Sequence, residues 1–77
     1  MRTHHQFFME RCKTFDENID FSGYIQMVCK CLVMSDYNYS VIDAIKCILI
    51  NIEYIETLYE EKETVYNCML EIGYTCG

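Results

Sequence analysis

Residues 40–61 read SVIDAIKCILINIEYIETLYEE, and the placement of this stretch decides the fold. Ser40 followed by Asp43 has the form of a capping box, in which the hydroxyl accepts a backbone N–H that the first turn leaves unpaired. At about 100° per residue, Val41, Ala44, Ile45, Ile48, Ile52, Ile55 and Tyr59 form one apolar arc, widened by Cys47, Leu49 and Leu58. The polar residues Asp43, Lys46, Glu53, Thr57 and Glu60 take a narrow opposite stripe. A helix that is apolar over more than half its circumference needs several neighbours to cover it. Residues 40–61 are therefore expected to be the central helix of a small all-α domain.

The flanking sequence supplies those neighbours. Thr3-His4-His5-Gln6 repeats the capping-box form and opens an expected helix over 3–14, with Phe8, Cys12 and Phe15 on one face. Residues 15–20 lose the helical period and carry turn-formers. Asp20 then caps a helix over 21–34, where Phe21, Tyr24, Ile25, Val28 and Leu32 recur at helical spacing. Gly23 costs its first turn about 1 kcal/mol relative to Ala. No Gly or Pro interrupts 40–72, yet a helix of that length is unusual in a small globular domain. The polar run Glu60-Glu61-Lys62-Glu63 places the break. Thr64 caps a last helix over 64–72, Gly73 ends it as the left-handed residue past the C-terminus, and 74–77 is a tail. The expected fold is all-α, a compact bundle of three to four helices (about 3–14, 21–34, 40–61 and 64–72) in a single domain over 1–77.

A chain of 77 residues buries only about 60% of the surface its unfolded form exposes, so its 52% hydrophobic content matters for holding a core. Six Lys and Arg against twelve Asp and Glu give a net charge of −6, with no basic run. That balance argues against recognition of DNA or RNA through phosphates, and of an anionic membrane surface. It favours a basic protein partner, or serves solubility alone. The absence of Pro and heavy use of Phe, Tyr, Ile and Asn point to an A/T-rich genome, as in viruses and phages. Phe7-Phe8-Met9 is too short for a signal-peptide core, and Asp43, Lys46, Glu53 and Glu56 interrupt 40–61 as a membrane span. A cytoplasmic, intracellular location is expected.

Few residues suggest chemistry. The cysteines Cys12, Cys29, Cys31, Cys47, Cys68 and Cys76 fall mostly on or beside core faces, and are expected to be buried free thiols. Cys29 and Cys31 point to opposite sides of a helix and cannot share an ion, and paired zinc-ligand spacing is absent. His4 and His5 sit at a helix end, and no nucleophile elbow, phosphate loop or metalloprotease motif occurs. No catalytic, cofactor-binding or metal-binding residue is expected, and the chain is not read as an enzyme.

Seven tyrosines, four phenylalanines and five methionines are residue types enriched at protein interfaces. Ile50 and Tyr54 interrupt the polar stripe of residues 40–61 where a bundle helix would be polar. With Glu53, Glu56, Glu60 and Glu61 they are the candidate partner-binding residues. The expected function is a small acidic helical protein–protein interaction module, inhibitory or scaffolding, that self-associates as a homo-oligomer. One alternative is an acidic nucleic-acid mimic that blocks a nucleic-acid-binding protein. Another is a cysteine-based redox or metal-binding protein.

Overall fold

Asp20 starts the helix on which the others pack. Its carboxylate accepts the Gly23 N–H at 2.7 Å, and a side chain at residue 23 would bring a Cβ to 3.0 Å from that oxygen and 3.2 Å from Ile19. Gly23 therefore allows the cap to close, and its helix-propensity cost goes with a close approach. The computed structural model describes residues 4–35 and 39–76, apart from the side chains of His5, Tyr74, Thr75 and Cys76. Five helices are present among the described residues: α1 (His4–Cys12), α2 (Phe21–Met34), α3 (Val41–Ile50), α4 (Ile52–Glu60) and α5 (Val65–Cys76). No strand occurs among them, so the all-α class holds.

The central helix is α2, not residues 40–61 as the apolar arc suggests. Helix α2 packs against each of the other four. Tyr24, Val28, Cys31 and Leu32, spaced i, i+4, i+7 and i+8, lie fully buried along it. Around them gather Phe8 and Cys12 from α1, Ile48 from α3, Ile55 and Leu58 from α4, and Val65, Cys68, Met69 and Ile72 from α5.

Residues 40–61 form two helices, because Asn51 ends one and starts the next. Its N–H is shared between the carbonyls of Cys47 and Ile48, at 3.2 and 3.1 Å. Its side-chain amide also donates to the Cys47 carbonyl at 2.8 Å. That side chain competes with the helical ladder, and the backbone turns to φ −107°, ψ 19°. From there Ile55 N–H donates to the Asn51 carbonyl and the α4 ladder begins. At the start of α3 the cap is as expected, with Ser40 Oγ accepting the Asp43 N–H at 3.1 Å.

The second break falls where the polar run places it. Lys62 takes a left-handed φ of 61°. Its N–H donates to the Tyr59 carbonyl, and the Glu63 N–H reaches back to Leu58 at 2.9 Å, the paired bonds of a Schellman end. Thr64 Oγ1 then accepts the Asn67 N–H at 3.0 Å and caps α5. Helix α5 runs to Cys76, so Gly73 is a buried interior residue without positive φ, and the expected stop at 72 does not occur. Helix α1 is shorter than 3–14, and Thr3 of its expected cap lies outside the described residues.

Candidate interaction surface

Helix α3 buries a narrow strip, Ala44, Cys47 and Ile48, against the core. At 100° per residue, Val41, Ile45, Leu49 and Ile42 follow on the next quarter of its circumference. These four remain exposed by 57%, 45%, 63% and 66%. The first three belong to the apolar arc that should have been covered. They are uncovered because α3 packs beside α2 at the edge of the bundle, with neighbours on one side only, whereas a central helix would have neighbours all round.

Between this ridge and α2 runs an apolar groove of about 510 Å³. Ile25, Cys29 and Val33 form its α2 wall, Val41, Ile45 and Leu49 its α3 wall, and Ile52 closes one end. Gln26 and Lys30 are its polar lining residues, and no carboxylate lines it. The Lys30 ammonium lies 4.7 Å from the centre of the Phe8 ring, a cation–π contact that sets the charge at the α1 side. A single copy exposing a contiguous aliphatic ridge beside a groove of this kind has the character of a binding surface.

The opposite flank of α2 is finished differently. The Tyr24 and Tyr59 rings meet at a tilt, 5.3 Å between centroids, Phe21 lies 5.4 Å from Tyr59, and Phe15 sits within 6.4 Å of both tyrosines. The Tyr24 hydroxyl donates to the Glu63 carbonyl at 2.9 Å, and Tyr59 to that of Ile19 at 2.7 Å. A smaller pocket of about 240 Å³ beside Phe15 and Tyr24 carries Arg11 and Asp16 in its wall. Burial holds the Tyr24 phenol far above its ordinary pKa, and the nearby Cys68 adds to the effect.

The six residues singled out from sequence do not form one patch. Ile50 is the most exposed large apolar side chain among the described residues, at 80%, and Lys46 separates it from the groove ridge around the α3 circumference. Tyr54 is 44% exposed and donates to Glu71 Oε2 at 2.9 Å, which raises its phenol pKa. Glu53, Glu56 and Glu60, spaced i, i+3 and i+7, share one exposed face of α4, whereas Glu61 ends that helix. The groove and the Val41–Ile42–Ile45–Leu49 ridge were missed. Asn51, which ends α3, was a readable signal that the apolar arc is divided between two helices, but the edge position that uncovers the ridge comes from the packing of the whole bundle.

The cysteines divide. Cys12, Cys29, Cys31 and Cys68 are free thiols, three of them fully buried. Cys47 departs from the expectation of free thiols, being disulfide-bonded. The side chain of Cys76 lies outside the described residues. Cys31 is held well above the ordinary thiol range by its hydrogen bond with Cys12 and by burial. That same bond lowers the Cys12 thiol against the effect of its own burial. Burial pushes Cys68 up to about 11. No group of three or more His, Cys, Asp or Glu arranged for a metal ion occurs among the described residues. Nor is any described helix long and apolar enough to cross a membrane.

Compared with known proteins, the chain matches no family model, no curated protein and no solved structure.

Proposed function

We propose that the chain is a small acidic protein–protein interaction module that acts by occupying or bridging a partner, without catalysis. The observation that carries this reading is the uncovered aliphatic ridge of α3 beside the 510 Å³ apolar groove. Such a surface suits helix-in-groove recognition, in which aliphatic anchors supply the affinity and a charged surround sets partner choice.

A second reading has its own support. Glu53, Glu56 and Glu60 line one exposed face of α4 and present a row of carboxylates, as a nucleic-acid mimic would. The two readings separate on salt and on mutation. Tagged wild-type, Leu49→Glu and Glu56→Lys/Glu60→Lys chains are expressed in the organism of origin, and the co-purified proteins are identified. The apolar reading expects one specific partner set, retained at high salt and by the glutamate variant and lost with Leu49→Glu. Capture that falls steeply with salt and vanishes on charge reversal would instead establish the mimic.

A further inference from the structure

The apolar groove between α2 and α3 leaves its occupant to be named. Resting on the interaction-module reading, we infer that the occupant is a second copy of this chain. A twofold axis sets the α3 ridge of each copy into the α2–α3 groove of the other.

Shape is the first support. A twofold interface uses the same patch on both copies and must be self-complementary. Here the convex and concave parts are adjacent and share α3: Val41, Ile45 and Leu49 stand as a ridge and also form one wall of the groove. Their i, i+4, i+8 spacing is the row that packs between the rows of another helix in the commonest helix crossing.

Charge selects the partner. Two copies each carrying −6 repel over most of their surfaces. The groove has no carboxylate in its lining and one cation, Lys30, so it is where two acidic chains approach with little opposition. A basic amphipathic helix would find no counter-charge there, since Glu53, Glu56 and Glu60 of α4 are not among the lining residues. The area is also of the right scale. Covering four aliphatic side chains exposed by 45–66%, together with the groove walls, removes a few hundred Å² of apolar surface per copy. A standard interface buries about 800 Å² per partner, a little over half of it apolar.

Sedimentation equilibrium of the full chain, from micromolar to near-millimolar concentration, tests the inference. The weight-average mass of wild type is expected to rise from 9.2 kDa towards twice that value. Leu49→Glu and Ile42→Glu are expected to remain at the monomer mass with wild-type circular dichroism. Ile50→Glu, beyond Lys46, is expected to dimerise as wild type does. If Leu49→Glu loses its helical signal, the more exposed Ile42→Glu carries the test. A wild type that stays at 9.2 kDa throughout overturns the twofold assembly, as does a dimer that survives both ridge variants. In the first case, partner capture lost with Leu49→Glu would still uphold the interaction module, with a different protein in the groove.

Discussion

Tyr24 and Ile25 are consecutive residues of α2, and they look onto two differently finished flanks. On the Tyr24 side the chain closes itself. Four aromatic rings meet there, both tyrosine hydroxyls reach backbone carbonyls, and α5 packs against the same helix. On the Ile25 side the wall is aliphatic, no tyrosine hydroxyl lines it, and the α3 ridge beyond it is uncovered. A flank sealed within one copy needs its polar groups paired in place, because an unpaired buried donor or acceptor is costly. A largely aliphatic wall has few such groups to pair. The contrast teaches that hydrophobicity alone does not mark the core of this chain. The sealed flank is marked by tyrosines whose hydroxyls have specific carbonyls to reach.

Truncating the sealed flank should break the molecule first. Tyr24→Ala removes a fully buried aromatic and is expected to cost about 3–5 kcal/mol in chemical denaturation. Tyr24→Phe keeps the ring and removes the bond to Glu63, and should cost about 1–3 kcal/mol. If Tyr24→Phe is as stable as wild type, the hydroxyl does not seal that flank.

Alkaline pH should weaken the same flank. The Cys68 thiol, ordinarily near 9, is pushed up to about 11 by burial, and Tyr24 and Cys31 are shifted in the same direction. Because the folded values lie above the unfolded ones, the contribution is complete below about pH 9. It is lost as the pH rises through 11. Denaturation midpoints at pH 7, 9 and 11 should therefore fall over the last interval, and fall less for Cys68→Ala. A flat profile would show that the unfolded chain gains nothing by ionising.

The smallest effect should come from a site outside both flanks. Lys62 holds a left-handed φ of 61° that disfavours any side chain, while its ammonium meets Glu17 at 3.1 Å on the exposed surface. Lys62→Gly should change stability by no more than about 1 kcal/mol, towards greater stability, read as a rise in Tm.

Much of the fold could be read from local chemistry. Asp20 and Ser40 fixed two helix starts, the run from Glu60 to Glu63 located the turn between α4 and α5, and α2 matches its expected span of 21–34. The misreadings share a physical cause. Periodicity describes which side chains of one helix align, but how many neighbours a helix has is set by the whole packing. The arc in residues 40–61 was continuous on paper, yet Asn51 drew its own amide back onto Cys47 and divided it. Gly73 suggested a stop, yet a helical glycine needs no positive φ and here lies buried within α5. Ile50 and Tyr54 were visible as apolar interruptions of a polar stripe, but neither lines the groove. Val41, Ile45 and Leu49 of the ridge were hidden in the arc that periodicity assigns to a core.

The central claim is that Ile42 and Leu49 belong to a surface and not to the core of one copy. Urea denaturation of wild type and Ile42→Glu/Leu49→Glu, both at sub-micromolar concentration where association does not contribute, tests it directly. Surface placement predicts unfolding free energies within about 1 kcal/mol and unchanged helical content. A loss of several kcal/mol in the double variant would mean that these side chains are buried in a single copy, and would contradict the account.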